Sequence, residues 1–293
     1  MKKNELKITT VFTVFILVLL FFGSETQAQY NFSKKSYAEA WAFAGKFESE
    51  IIKGSYIGGV ASLTQAPSIK KNTTLYGLKI EGVKYSYEGK DKVWVGKGQG
   101  NFGSIGLTME RRNLSKNRTS IFRLSSGGKV LNIKEVSDHD MSHKSSQHTL
   151  LYGEMWWMTF HNRQAFNRLD FGLRYEHQLM ASGDIWQNGK TQQFDADKND
   201  RGSFSMFSEV SLLTFPIDVN WGIVFSIRGE YKHENFNKRD LYSPMGVISV
   251  YNNYSDILRL SIGREFFPQK SEYKDNVNIS VDVFNVVRGM GNF

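Results

Sequence analysis

The stretch RLDFGLRYEHQL, residues 168–179, alternates apolar and polar side chains without interruption. One face carries the apolar or aromatic residues Leu169, Phe171, Leu173 and Tyr175. The other face carries Asp170, Gly172, Arg174 and Glu176. A period of two is typical of a β-strand, because successive side chains point to opposite faces of a pleated sheet. In a soluble sheet the apolar face packs on a core, whereas in an outer-membrane barrel it faces lipid and the charges line the lumen.

The chain from residue 73 onward favours strands throughout, with no helical pattern of ten residues and no Pro-rich linker. The candidate segments are 74–87, 92–98, 102–110, 119–125, 129–135, 149–161, 168–179, 203–214, 217–231, 245–251, 257–265 and 277–287. The glycine-rich stretch GKGQGNFG, residues 96–103, is predicted to be a tight turn between two of them. The sequence therefore indicates an all-β fold.

The connections between the later segments alternate in length. The long ones are 136–148, 180–202, 232–244 and 266–276, and the short ones between them are 162–167, 215–216 and 252–256. Outer-membrane barrels have short turns at the periplasmic end and long loops at the extracellular end. We therefore predict an antiparallel transmembrane β-barrel of about 12 strands, and of up to 14.

The N-terminal region is predicted to hold a signal and a separate segment. Lys2, Lys3 and Lys7 precede the apolar run 11–22, and the small-residue site Thr26-Gln27-Ala28 follows it. This pattern predicts a cleaved signal peptide over residues 1–28. Residues 29–72 are expected to form a periplasmic or plug segment with a short helix near 36–51, and residues 73–293 the barrel. The helix is suggested by near-helical apolar spacing and by a capping box at Ser36 and Glu39.

The composition excludes several functions. The chain has no cysteine, so a disulfide framework, a thiolate metal site and a cysteine nucleophile are ruled out. The formal net charge of +8 comes from basic residues dispersed among acids, which gives little support to nucleic-acid binding. No cofactor motif is present: GKGQGNFG lacks the strand-then-helix context and the Lys-Ser/Thr pair of a phosphate loop.

The chain resembles the outer-membrane β-barrel proteins of Gram-negative bacteria. The resemblance rests on the signal KITTVFTVFILVLLFFGSETQAQ, on the alternating strands of residues 149–287, and on the terminal Phe293 of RGMGNF. It implies a location in the outer membrane and partners in the outer-membrane lipid and the barrel-insertion machinery, which recognises a C-terminal aromatic residue. Ahead of Phe293 the alternate positions Gly291 and Gly289 depart from the family's apolar pattern. The resemblance is one of architecture and brings no substrate with it.

Charged residues on the polar faces of two strands are the candidate site. In a barrel they would meet in the lumen and either plug it or select the ions that pass. They are Asp170, Arg174, Glu176, Arg228 and Glu230.

Two loops hold residues that suit metal ions, both with weak patterns. Asp195, Asp197 and Asn199 have the one-three-five spacing of a calcium loop, but the required glycine and glutamate are missing. His139 and His143 lie in the histidine-rich stretch 137–148 without the fixed spacing of a known motif. His143 and Ser145 also have the separation found in outer-membrane phospholipases, yet no third group is evident.

No catalytic residue is therefore assigned. The sequence favours a non-enzymatic outer-membrane barrel that serves as a channel, a receptor component or a structural barrel, with a small solute or ion as its possible cargo. The alternatives are a secreted or periplasmic β-sandwich that binds a ligand, and an outer-membrane lipid hydrolase.

Overall fold

A computed structural model of the chain describes residues 36–48, 52–65, 72–89, 96–114, 118–138, 141–161, 164–196, 201–217, 221–235, 239–252, 255–265 and 276–290. Strands account for nearly all of these residues. They are β1 (Ser36–Glu48), β2 (Ile52–Gln65), β3 (Asn72–Gly89), β4 (Gly96–Leu114), β5 (Arg118–Ser137), β6 (Ser142–His161), β7 (Gln164–Gln187), β8 (Lys190–Ala196), β9 (Ser203–Pro216), β10 (Trp221–Glu234), β11 (Arg239–Asn252), β12 (Ser255–Glu265) and β13 (Asn276–Met290).

The strands form one closed antiparallel ring. Each strand from β1 to β7 pairs with the next, β7 pairs with β9, and the order continues from β9 to β13. The ring closes where β13 pairs with β1, in a register that joins Ser36 to Met290. Strand β8 pairs with residues 181–187 at the end of β7 and lies outside the ring. The predicted antiparallel barrel of about twelve strands is confirmed, and a sandwich of two open sheets does not fit this closure.

Two N-terminal strands enter the ring where a separate segment with a helix was predicted. Residues 36–48 form β1, which is hydrogen-bonded to β13 on one side and to β2 on the other. The helix prediction is wrong, and so is the start of the barrel at residue 73. The physical reason is that the open edge of β13 needs a partner, and local helical spacing does not outweigh a full ladder of backbone hydrogen bonds. Residues 1–28 and the predicted signal lie outside the described residues.

Predicted strand pairs have merged into single long strands. Residues 96–98 of the predicted segment 92–98 and the whole segment 102–110 are parts of β4, and segments 119–125 and 129–135 are parts of β5. Residues 92–95 lie outside the described residues. The predicted turn over 96–103 is wrong, because this stretch lies inside β4. Two of its glycines are covered from β3: the ring of Tyr87 lies over Gly98 and that of Tyr85 over Gly100, each directly opposite in the register. Aromatic rings over strand glycines replace the packing that the glycines lack.

The strands extend farther at one end of the barrel than at the other. We call the end where β1 begins and β13 ends the near end, and the opposite one the far end. The predicted loop 136–148 is mostly strand, because β5 runs to Ser137 and β6 starts at Ser142. Likewise, much of the predicted loop 180–202 is a hairpin of β7 and β8. Its tight turn lies at Asn188 and Gly189, whose φ angles are 52° and 76°. Positive φ at both central residues is what a tight hairpin turn requires. The far-end wall is thus built from extended strands.

An apolar belt surrounds the outside of the barrel. On β4 the outward positions Gly103, Ile105, Leu107 and Met109 lie between the outward polar residues Asn101 and Arg111. The nine residues 102–110 match the length of a strand that crosses a bilayer at a tilt. Leu107 is 71% exposed, although it is large and apolar. Outward apolar residues of this kind recur around the ring, among them Ile80, Leu213, Ile227 and Ile262.

Gly172 provides a test of packing inside the barrel. A methyl group at Gly172 would overlap the ring of Phe207, which lies opposite on β9. We expect Gly172→Ala to lower the free energy of unfolding by about 1–3 kcal/mol, the usual cost of overpacking. Urea unfolding in detergent micelles, followed by tryptophan fluorescence, measures this. Gly229→Ala is the control, because the space beside Gly229 is open. Equal stability of the two variants would contradict the packing of Phe207.

Candidate functional site: the ionic interior

The inside of the barrel carries charges, which is the reverse of a soluble protein. Along β7, Asp170 and Glu176 are buried, whereas Tyr175 and Leu179 on the other face are exposed. The sequence-predicted residues Asp170, Arg174 and Glu176 therefore lie on the inner wall, as Arg228 does on β10. Glu230 shares the inner face of β10 with Arg228, two residues away. All five take part in ion pairs there.

Glu110 is the most deeply buried of these charges. Its carboxylate is fully buried on β4 and accepts hydrogen bonds from two arginines. Arg112, two residues along the same strand, donates from Nε. Arg123, on β5, donates from Nε at 2.8 Å and also from a terminal guanidinium nitrogen. The guanidinium of Arg123 also lies over the ring of Trp156, 5.0 Å from its centroid. A carboxylate in this position is compensated on two sides, as burial of a charge requires.

Arg174 joins strands that are far apart in the ring. Its Nη1 contacts Oε2 of Glu81 on β3 at 3.0 Å and Oε2 of Glu154 on β6 at 3.5 Å. Its Nε donates to Oε1 of Glu176 at 2.9 Å. Between β3 and β7 stand three other strands, so the pair of Arg174 and Glu81 reaches across the lumen rather than along its wall.

Two lysines extend this cluster. Lys79 on β3 donates to Glu154 on β6 at 2.6 Å, and Lys129 on β5 donates to Glu176 on β7 at 2.8 Å. Lys129 also lies over the ring of Phe102, 4.1 Å from its centroid. Each of these ion pairs passes over at least one intervening strand, so the side chains project into the lumen and meet there.

A further ionic cluster occupies the other half of the barrel. On β7, Arg168 binds the buried carboxylate of Asp170 at 2.5 Å. Glu209 on β9 accepts hydrogen bonds from Arg259 on β12, which reaches past two strands. Arg228 lies 3.9 Å from Glu209 and donates to Glu230 at 3.2 Å.

Several charged residues of these clusters are deeply buried in the interior. Charged side chains that border a wide aqueous pore keep contact with water, whereas Lys79, Arg123, Asp170 and Glu209 are each no more than 7% exposed. Isolated charges so deeply buried would be very costly, and the ion pairs compensate for the lost hydration. The arrangement can therefore close the lumen.

A serine, a histidine and a glutamine form a hydrogen-bonded group inside the barrel that the sequence did not reveal. His148 Nε2 lies 3.1 Å from Ser146 Oγ, and His148 Nδ1 lies 3.0 Å from Gln178 Oε1. All three side chains are buried on the inner wall, which gives a lipid substrate no access. The phospholipase-like pair of the sequence is different: His143 and Ser145 are exposed on the outer face of β6, and His143 packs on Trp186.

The predicted metal sites gain no support from the described residues. His139, Asp197 and Asn199 lie outside them, and Asp195 falls at the end of β8. Within the described ranges, no three His, Cys, Asp or Glu side chains come close enough to hold a metal ion. No helix in the part of the chain that the structure describes is long and apolar enough to span a membrane.

The fold and its interior together define a closed antiparallel β-barrel with an apolar outer wall and an ionic core, the construction of proteins that cross membranes with strands. Comparison with protein-family profiles finds no match, and comparison with curated proteins finds none either.

Solved outer-membrane barrels are similar to the chain in structure. The translocator domain of the autotransporter NalP from Neisseria meningitidis is 13% identical, with 97% of this chain and 96% of that one covered and a TM-score of 0.47. The transport unit of the autotransporter AIDA-I from Escherichia coli is 6% identical, with 91% and 92% covered and a TM-score of 0.46. A deletion mutant of the monoaromatic hydrocarbon channel TodX is 9% identical, with 87% and 89% covered and a TM-score of 0.48.

Proposed function

We propose that the chain is a non-enzymatic barrel of the outer membrane, with a lumen that its own ion pairs keep closed, and that it serves as a surface receptor component or structural barrel. The observation that carries the proposal is the inverted distribution of side chains. Large apolar residues such as Leu107 are exposed on the outside, while Glu110 and Asp170 are buried inside. This distribution is unfavourable in water and favourable in a bilayer.

The export route remains a prediction from the sequence. A signal peptide over residues 1–28 would deliver the chain across the inner membrane, and the insertion machinery would then fold it into the outer membrane. We further propose that the near end faces the periplasm. The far end would then stand outside the cell, which agrees with the long extracellular elements of such barrels. On β7 the strand continues for twelve residues beyond Tyr175, roughly 40 Å at 3.3 Å per residue.

A closed lumen distinguishes the proposal from an open channel, and conductance tests it. In planar bilayers we expect the native protein to show no discrete conductance steps. Lys79→Ala combined with Glu154→Ala removes from the lumen an ion pair whose nitrogen and oxygen are 2.6 Å apart. The double variant leaves Arg174 paired with Glu81 and Glu176. We expect this double variant to conduct ions in discrete steps, because the removed side chains leave space that water can enter.

The matched control is Lys53→Ala combined with Glu88→Ala, which removes a Lys–Glu pair of 2.8 Å from the outside of the barrel. This control should remain non-conducting. Large, stable conductance of the native protein would refute the closed lumen and favour a channel instead.

A further inference from the structure

The outside of the barrel has a basic area just beyond the apolar belt, toward the far end. Each of five successive strands contributes one exposed, outward-facing lysine. They are Lys46 on β1, Lys53 on β2, Lys84 on β3, Lys97 on β4 and Lys134 on β5. We call these residues the lysine patch. Its width is roughly 19 Å, because neighbouring strands lie about 4.8 Å apart.

The strand register brings the lysine patch together. Lys46 lies opposite Ser55, which is followed across the ring by Ser86, Gln99 and Lys134, each paired with the one before. One step nearer the far end, Lys53, Glu88 and Lys97 are paired in the same way. Residues of both rows border a surface groove of about 790 Å³. Lys46, Lys53, Lys97 and Lys134 therefore surround one concave surface. Lys84 lies one row nearer the belt, opposite Ile57 and Asn101.

The lysine patch carries a net positive charge. Two glutamates share the row of Lys53 and Lys97: Glu88, which Lys53 binds at 2.8 Å, and Glu48, which lies opposite Lys53 in the register. The five lysines and these two glutamates leave an excess of three positive charges. The opposite wall differs: there His233 and Asp240 face outward near the far end and bind each other at 2.8 Å. The lysine patch therefore gives one side of the barrel a positively charged surface that suits an anionic partner.

A shallow depression lies on the belt side of the patch. Ala42, Gly59, Gly82, Gly103 and Val130 are direct neighbours across β1 to β5, so three glycines stand side by side. A methyl group added to Gly82 or Gly103 would meet only a backbone oxygen, at 3.9 and 4.0 Å. Beyond this row the exposed side chains of Ile80 and Ile105 continue the apolar belt. Along the same strands, from the far end toward the belt, the surface therefore presents the lysines first, then the open glycine row, and then apolar side chains.

We propose that the lysine patch binds the phosphorylated headgroup of an anionic membrane lipid, with an acyl chain lying against the glycine row. This rests on the proposed membrane location. Lysines at a membrane surface attract anionic headgroups, and their long side chains reach from the strand to the headgroup level. Small outward residues let an acyl chain approach the backbone closely. A soluble acidic protein would explain the lysines but not the depression beside them.

The test uses the full-length mature protein in detergent, with lipid adducts counted by native mass spectrometry. The probe is diphosphoryl lipid A, a phosphorylated glycolipid; phosphatidylcholine supplies acyl chains without net charge, and inorganic phosphate supplies the anion alone. We expect the protein to retain lipid A as a bound adduct and to retain phosphatidylcholine only weakly. We also expect that inorganic phosphate does not displace bound lipid A. Lys97→Gln with Lys134→Gln should weaken lipid A binding about tenfold. Displacement by inorganic phosphate would overturn the lipid as the occupant.

Two controls make the result specific. Arg111→Gln with Lys190→Gln removes the same charge from exposed sites elsewhere and should leave binding unchanged. Gly103→Leu should weaken lipid A binding by filling the depression, whereas Gly246→Leu, at an open site on β11, should not. Equal effects of the paired variants would overturn the proposal. Recovery of the native protein in a detergent-free soluble fraction would instead refute the membrane location itself.

Discussion

Glu110→Gln is expected to lower the free energy of unfolding of the barrel by about 3–5 kcal/mol, the typical cost of removing one partner from a buried ion pair. The side chain is fully buried, and its carboxylate is bound by Arg112 and Arg123. The glutamine has nearly the same shape but removes the negative charge that both buried guanidinium groups bind. The measurement is urea unfolding in detergent micelles, supported by the temperature at which the folded band is lost on a gel.

The control for this prediction is Glu88→Gln, the same chemical change in an exposed pair with Lys53. Exposed ion pairs contribute about 0–1 kcal/mol, so this variant should remain close to the native protein. If Glu110→Gln were as mild as Glu88→Gln, the ion pairs of Glu110 would not stabilise the barrel, and the closed lumen would lose its main support.

Leu107→Arg is expected to destabilise the barrel in a bilayer by about 2–4 kcal/mol, the cost of an arginine on the lipid face at the midplane. Leu107 lies near the centre of the nine residues of β4 between Asn101 and Arg111 and is the most exposed of the large apolar residues in the belt. We expect a lower yield of folded protein on insertion into lipid vesicles, together with unfolding at lower urea concentration.

Gln99→Arg provides the comparison, because Gln99 is on the same strand and the same outward face, beyond the polar boundary at Asn101. An arginine near the interface costs only about 0–1 kcal/mol. The two variants differ in depth and not in the charge introduced. Similar insertion of both would indicate that Leu107 does not face lipid, and the assignment of the belt would be wrong.

The two predictions concern opposite walls of the same sheet. On the outer wall an added charge is costly because lipid offers it neither water nor partners. On the inner wall the charges are tolerated because each has a partner, and the cost appears when a partner is removed. If the barrel were soluble, the arginine on the outer wall would be harmless.

Part of the ionic site could be predicted from the sequence. The alternation along residues 168–179 is sufficient to assign Asp170, Arg174 and Glu176 to the polar face, because the period of a strand is a local property. Glu110 and Arg112 fall at the end of a predicted strand and beyond it, where the same alternation continues but the strand was predicted to stop. Extending that segment by a few residues would have placed both on the inner face.

The partners of these charges could not be predicted. Arg174 and Glu81 are 93 positions apart, and Arg259 and Glu209 are 50 apart. Which cation meets which carboxylate depends on the closure of the ring and on the register of several strands between them. The same holds for Ser146, His148 and Gln178, because the histidine and the glutamine come from different strands.

The sequence by itself determined the period of the strands, their apolar and polar faces and the approximate number of strands, since these follow from local patterns of side chains. Only the tertiary structure decided that residues 36–48 form a strand, that the stretch 96–103 continues β4, and that charged residues on distant strands form ion pairs in the interior. The physical reason is that backbone hydrogen bonds and buried charges must both be satisfied by partners. In a barrel those partners are supplied by strands that are distant along the chain.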